Sequence, residues 1–570
     1  MITDNLTKWA RESKIESPEL VRNIFSLLLR QYTGIQEIMD SIKFCYVIAE
    51  RNIVDIQKLY VYLSKIRGLI SVQTEALEED IIKLALWHIM NNKVFFQHPD
   101  LMRILGVHEN VMKIMMNILS RSQQNAESME LHSELSDEAV QGPRDTSEMV
   151  VSCCKFLCYF CRTSRRNQKA MFEHTSYLLD NASMLLARPS VRGSVPLDVA
   201  YSAFMDNNEL ALALKEDELD KVTIWLGRCG LQGNSDLIAK GYPDLGWDPV
   251  EGERYLDFLR FCVWVNGESV EENANLVIRL LIRRPEGLGP ALKGEGEGLL
   301  YAFKNAVTMS REIGGYESGG QFIDAEMLEQ YPNPDVEGED YIDFGEAVLN
   351  FYATLVDLLG KCAPEPATVQ AGKGESMRAR AILRSLISLD DLEAILDLRF
   401  TVPAPGQFNE DGSLINPCPP GILPSHKQSV LLFFDRVYGI EDQKMFFQLL
   451  ERSFLPDLRC TTMLDAVGAR DSDMALSLNR YLCNAVLPLL TNHCHLFADG
   501  EHQATLLDAT LHTVYRMSKL PSLTNNQRMS VSNFLIAFCR ELQPVMMLSL
   551  LRTVVLDIPS LNEYSKTPLR

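Results

Sequence analysis

Nowhere in the 570 residues do about 18 apolar residues run without a charge, so the sequence offers no helix able to cross a bilayer. The longest candidate, 149–161, is too short and contains Lys155. The first residues, MITDNLTKWARESK, lack the apolar segment of a signal peptide, so cytosol or nucleus is the expected compartment. Alternating apolar and polar residues between hairpin dipeptides are almost missing, which speaks against a sheet protein. Basic residues are in deficit: 55 Lys and Arg stand against 76 Asp and Glu, a net charge of −21. A nucleic acid as main partner is therefore not expected, because phosphate binding needs a basic footprint.

The motifs of chemistry are missing as well. There is no G-x-S-x-G, no H-E-x-x-H and no dinucleotide fingerprint after a strand. The stretch AGKGES at 371–376 lacks the upstream glycine and the Ser or Thr after lysine that a phosphate loop needs; it reads as a loop before a helix at Met377. DVEGEDYID at 335–343 is only a fragment of an EF-hand loop. No carboxylate pair sits in an apolar stretch where burial would tune it for acid–base work. The expectation is a protein that is not an enzyme and takes no cofactor and no metal.

What the sequence has in abundance is helix punctuation. Ser17-Pro18-Glu19 reads as a cap, a proline at the first helical position and an acidic first turn, ahead of Leu20, Ile24, Leu27 and Leu28 on one face, with Gly34 as the stop. Asn52 can cap a second helix carrying Ile56, Leu59, Tyr60 and Leu63. Pro99 opens a helix that Gly106 closes, and Val111, Ile114, Met115 and Ile118 continue in the next. Such short helices joined by short turns predict an all-α fold, an α-solenoid of antiparallel helix pairs with long acidic or proline-rich loops. No strict repeat period is visible.

Three breaks interrupt the helices. The first, 122–148, carries seven acidic residues and one basic residue; the second, 312–343, carries ten and none, so the two hold −16 of the −21 charges. Like charges and few apolar residues predict that both are mobile. The third, 403–424, is rich in proline. The expected organisation is helical solenoid over 1–121, acidic insert 122–148, helical domain 149–311, acidic loop 312–343, helical segment 344–402, proline-rich loop 403–424 and helical solenoid 425–570. Within the 149–311 block, 255–265 and 270–282 are expected to form a helix hairpin. There Ser269 and Glu272 would make the capping box, and Phe258, Leu259, Cys262 and Val263 would face Leu276, Val277, Leu280 and Leu281.

Thirteen cysteines, an odd number in no secreted-type framework, read as reduced core thiols. Cys153, Cys154, Cys158 and Cys161 crowd one apolar helix, but no second C-x2-C completes a zinc set, so core packing is the reading. His493, Cys494, His495 and His502 form the one histidine cluster; adjacent residues on a helix point to different faces, so the cluster reads as a helix end or turn. Two basic clusters are the candidate contact residues: Arg162, Arg165, Arg166 and Lys169, and Arg279, Arg283 and Arg284. Each ends a helix, where cations complement the dipole; each could equally pair with an acidic face of another domain or subunit.

Longer words go beyond composition. NLTKWARESKIESPELVRNIFSLLLRQY, NNKVFFQHPDLMRILGVHE, CRTSRRNQKAMFEHTSYLL, PLDVAYSAFMDNNELALAL, GYPDLGWDPVEGERYLDFLRFCVWVNGESVEENANLVIRLLIRRPE, VLLFFDRVYGIEDQ, FLPDLR, LNRYLCNAVLPLL and LNEYSKTPLR resemble the ryanodine receptor family from about Asn5 to Arg570. The resemblance is to the central cytosolic region, where the junctional solenoid (1–121) passes into the bridging solenoid (425–570). The block 149–311 is similar to the homology domain shared with inositol trisphosphate receptors. Gly287 stands where that pattern has cysteine. The resemblance implies a non-catalytic cytosolic part of a homotetrameric calcium-release channel at the sarcoplasmic or endoplasmic reticulum. It would transmit conformational change toward the gate, with other domains and subunits, and regulatory proteins, as partners. The pore and the family's ligand sites lie outside the matched words, so the chain is expected to be a fragment, a short isoform or a partial gene product. The alternative is a free-standing helical scaffold with protein partners of its own.

Overall fold

The computed structural model describes residues 76–92, 98–132, 147–174, 194–203, 216–225, 231–265, 267–315, 341–365, 374–402, 419–466, 472–498 and 500–542, with isolated positions between them. The helices expected at Leu20–Leu28 and Ile56–Leu63, most of 312–343 and most of 403–424 lie outside these residues. The fold is all-α, helix stacked on helix; among the described residues the one β element is a pair of two-residue strands. The chain divides into two compact units, Met1–Val222 and Thr223–Arg570.

In the first unit α1 (Ala76–Met90), α2 (Pro99–Ile104), α3 (Val107–His132), α4 (Ser147–Thr163), α5 (Arg165–Phe172) and α6 (Pro196–Ser202) pack around α4. The reason is composition. Cys153, Cys154, Phe156, Leu157 and Phe160 are fully buried, and Glu148, Lys155, Tyr159 and Arg162 form one exposed stripe. The four cysteines are thus core residues: the Cys154 thiol lies 3.4 Å from the Met115 sulfur. Burial pushes the Cys153 and Cys158 thiols up to about 12.

The punctuation works as read. Pro99 begins α2, and Gly106 turns the chain at a φ of 64° before α3, where Val111, Ile114, Met115 and Ile118 are buried. One boundary shifts: α3 runs to His132, into the acidic stretch expected to be loop from 122. Ser164 caps α5 by accepting the Asn167 amide at 3.1 Å, and the fully buried Asn167 donates to the Pro99 carbonyl at 2.6 Å, tying α5 to α2.

The second unit is built on α10 (Phe344–Cys362). Of its 19 positions 16 are buried, because α7 (Pro249–Val263), α8 (Glu271–Arg283), α9 (Leu299–Ile313) and α13 (Pro424–Phe433) surround it. Asp248 caps α7 by accepting the Val250 and Glu251 amides at 3.0 and 3.1 Å. The expected hairpin exists, but its details differ. A β turn at Gly267 (φ 86°) joins β1 (Trp264–Val265) to β2 (Glu268–Ser269), and Val270, not Ser269, is the N-cap of α8. Extended pairing aims Ser269 away from the helix, so its hydroxyl donates to the Lys361 carbonyl at 3.1 Å instead of capping. Asn273 takes over the clasp, donating to the Cys262 carbonyl at 2.8 Å. Leu276, Val277, Leu280 and Leu281 are buried as expected, but the two hairpin helices, α7 above all, pack more on α10 than on each other.

Backbones approach closely where α9 crosses α10. A Cβ on Gly345 would fall on the Ala306 carbonyl and the Ser310 amide. Next to it Asp343 caps α10 by accepting the Glu346 amide at 3.0 Å, and also accepts from the Ser310 hydroxyl. Gly345→Ala is expected to destabilise the second unit by about 1–3 kcal/mol through overpacking, less any part of the roughly 1 kcal/mol that alanine gains over glycine in a helix. Urea unfolding reads this; an unchanged midpoint would mean that the two helices part there at no cost.

Beyond α10 lie α11 (Gly374–Leu386), which begins three residues before Met377, and α12 (Leu389–Leu396). Pro424, expected to end a loop, instead opens α13 at its first position. The helix pairs α14 (Gln443–Leu449) with α15 (Leu455–Ala466), and α16 (Asp473–Tyr481) with α17 (Leu487–Asn492), are each continuous through a five-residue π-helix, Leu450–Phe454 and Leu482–Val486. In both cases a proline follows at the second residue beyond, Pro456 and Pro488. A proline has no N–H and crowds the preceding turn; the wider π turn lets the helix continue. The last helices, α18 (Ala504–Met517) and α19 (Asn525–Glu541), pack on α15 and α17.

Candidate functional site

The two basic clusters fall in different units. In the first, Arg162 ends α4, and Arg165, Arg166 and Lys169 ride on α5; all four are exposed. Lys169 pairs loosely with Glu209 at 3.9 Å, both side chains facing water, so the pair contributes little. α5 presents its other face, Asn167, Gln168 and Met171, inward, and this fixes the basic residues outward.

In the second unit α8 carries Arg279 and Arg283 on its outer face, and Arg284, half-buried, is its C-cap. The pattern dictates this: with Leu276, Val277, Leu280 and Leu281 turned inward, 279 and 283 share the opposite stripe. Among the described residues no hydrogen bond or ion pair engages the guanidinium groups of Arg279, Arg283 or Arg284. Most other buried or half-buried arginines of this unit are spoken for. Arg260 meets Asp257 at 2.8 Å, Arg436 meets Glu365 at 2.6 Å, and Arg380 donates to the Val437 and Tyr438 carbonyls at 2.5 and 2.8 Å.

A cleft of about 580 Å³ opens beside this helix end. Ile282 of α8, Pro285, Leu288 and Leu292 give it an apolar wall, and Ser385, Ser388 and Asp391 give it polar groups. Ile282 is 41% exposed. Asp391 is already committed: its carboxylate accepts the Leu299 amide at 3.0 Å and caps α9 from the neighbouring helix, where Gly298 (φ 90°) leaves room for it. The helix end thus offers three cations, an exposed isoleucine and an adjoining apolar hollow. Such a surface can bind an acidic, partly apolar segment; it holds no nucleophile next to a base.

His493 and Cys494 do lie at a helix end and in the 3-10 turn after it, as expected, and burial lowers the His493 pKa. One set of ligand-type side chains escaped the sequence reading. A ring nitrogen of His108, a carboxylate oxygen of Glu109 and a ring nitrogen of His174 all lie within 4.8 Å of one another. No motif announces them, because one histidine lies on a helix and the other in a turn far along the chain; only the two words GVHE and FEHT, each unremarkable alone, hold them.

Residues 63–293 match the RIH domain family, the homology domain of ryanodine and inositol trisphosphate receptors. The match takes in both basic clusters and the helix hairpin. No described helix is long and apolar enough to cross a membrane.

Proposed function

We propose that this chain, carrying an RIH domain over 63–293, is part of the cytosolic solenoid of a ryanodine-sensitive calcium-release channel and transmits conformational change toward the gate. The homology block drawn at 149–311 overlaps the matched residues over 149–293. On this reading 1–121, of which 63–121 lie within the matched residues, and 425–570 are the junctional-like and bridging-like solenoids of one subunit in a homotetramer at the reticulum membrane. The contact residues are Arg279, Arg283 and Arg284, with Arg162, Arg165, Arg166 and Lys169 as a second basic surface.

One observation carries the assignment of the contact: three cations stand together at the end of α8 with no partner among the described residues, on a chain of net charge −21. The acidic charge is concentrated in 122–148 and 312–343, and such a patch is complementary to acidic faces of that kind on another copy or domain. Contacts between domains are polar and modest in area, which lets them rearrange. If this contact favours the closed assembly by about 1–2 kcal/mol, its loss raises a rare open population roughly 5–30-fold.

The experiment is Arg283→Gln with Arg284→Gln in a full-length channel, followed by single-channel recording. The expected result is a shift in calcium or caffeine sensitivity with unit conductance unchanged. Normal sensitivity in a normally assembled tetramer would remove the contact role and leave the arginines as a solvated helix end.

A further inference from the structure

We propose that His108, Glu109 and His174 form a binding site for a borderline divalent metal ion of the zinc class, pinning the start of α3 to the segment that follows α5. The ligand atoms converge from two directions. Gly106, at a φ of 64°, turns the chain so that His108 and Glu109 occupy the second and third positions of α3. α5 ends at Phe172, and the chain turns through His174, whose amide is held by the Met171 carbonyl at 3.0 Å. One donor atom from each of the three side chains then lies within 4.8 Å of the other two. A tetrahedral zinc ion with bonds near 2.0–2.2 Å needs donors about 3.3 Å apart, so Glu109 and His174, which are less buried, would close on the fixed His108 ring.

The second observation is the state of His108. Its ring is 3% exposed, and its Nδ1 is buried without a hydrogen-bond partner. A buried unpaired polar atom is costly, and native proteins rarely keep one without use. The ring is held in place. It stacks on Phe160 with centroids 4.5 Å apart and planes within 9°, and meets the His174 ring edge-on at 6.1 Å. A buried ring held by stacking, with one nitrogen left open, is placed as a metal-binding histidine is.

The donor set selects the class of ion. Two imidazoles and one carboxylate suit zinc and its neighbours, whereas calcium and magnesium require shells of oxygen. The cysteines of α4 do not compete, because their buried thiols stay protonated. Arg103 repels a cation here, but its guanidinium faces Asp100 at 3.3 Å, and the Glu109 carboxylate supplies the site with its own negative charge. Glu109 is exposed, so an ion enters from solvent. With three protein donors, the fourth position is left to water or to a group from another segment.

The test is zinc titration of the metal-stripped full chain against a chromophoric chelator, with cobalt as a spectroscopic stand-in. The expected result is one strong site whose affinity falls by about 100-fold or more in His174→Ala and about 10-fold in Glu109→Gln. Both positions are at least partly exposed, so these variants fold where His108→Ala could not be trusted to. Excess calcium should leave bound zinc in place. Cobalt should give the visible bands of a tetrahedral nitrogen and oxygen site. The proposal is overturned by absence of a strong site, by a site equally strong in His174→Ala, or by an intense thiolate-to-cobalt band in the near ultraviolet.

Discussion

Lys427→Met will lower the stability of the second unit by about 3–5 kcal/mol, and adding Asp457→Leu will restore most of it. Lys427 is fully buried, and its ammonium donates to both Asp457 oxygens at 2.9 Å. Asp457 also accepts from the Tyr481 hydroxyl at 3.2 Å, and the ammonium lies 4.4 Å from the centre of the Phe400 ring. Burial pulls the lysine pKa down and pushes the Asp457 carboxyl up to about 6; pairing opposes both shifts. Removing the lysine alone strands a carboxylate among α13, α15 and α16 with no water to solvate it. Removing both charges trades a desolvated pair for apolar packing of similar volume, less the acceptor that the buried Tyr481 hydroxyl loses. Urea unfolding of the two variants reads the difference. A double variant no more stable than Lys427→Met would show that the lysine does not hold the carboxylate.

Acid will weaken the same unit through His426. The ring is 2% exposed, and burial depresses its pKa from 6.5 to about 4. Its Nδ1 accepts the Leu423 amide at 3.2 Å, so Nε2 carries the proton and donates to the Asn350 side-chain oxygen at 2.7 Å. The neutral form is thus built into the start of α13. Between the two pKa values the unfolded chain binds a proton that the folded chain refuses. The stability is therefore full above pH 6.5 and is lost as pH falls toward 4, by about 3 kcal/mol in all. His426→Gln keeps a polar side chain and loses the titration. Melting at pH 7.5 and 5 should separate for the natural chain by more than for the variant. Equal separations would place the acid sensitivity elsewhere.

The local grammar of the chain was legible because it is written in single residues. Pro99 and Gly106 bound α2 as expected, since a proline's φ and a glycine's positive φ are local properties. The cysteine-rich α4 was legible as core because the run from Met149 to Cys161 is apolar but for Ser152 and Lys155. What failed is what depends on partners. The end of α3 was placed too early because helix propensity, carried there by Gln, Ala, Glu, Met and Leu, continues after the apolar stripe stops. Pro424 was read as loop because it closes a stretch already broken by Pro417, Pro419 and Pro420, although the fold uses it as a first helical residue. Ser269 fits a capping box in sequence, and only the strand pairing of Trp264 with Ser269 decides otherwise.

The contact surface was half legible. Arg279, Arg283 and Arg284 are visible as a basic helix end, but whether other side chains consume them is a tertiary fact. Arg380 and Arg384 look no different in sequence, yet they are spent on the Val437 and Tyr438 carbonyls. The histidine set is the extreme case, since convergence of 108 and 174 follows from how α3 and α5 meet α4 and from nothing nearer in the chain.

Burial of 16 of the 19 positions of α10 also sets a clock on the molecule. A backbone hydrogen trades places with deuterium from solvent only when its hydrogen bond opens to water. For the outer turns of α8 a local fraying is enough. For the middle of α10, enclosed by α7, α8, α9 and α13, no local opening reaches water, so its hydrogens leave only when the helices around it come apart together. The slowest of them therefore count the complete openings of the second unit, one exchange at a time.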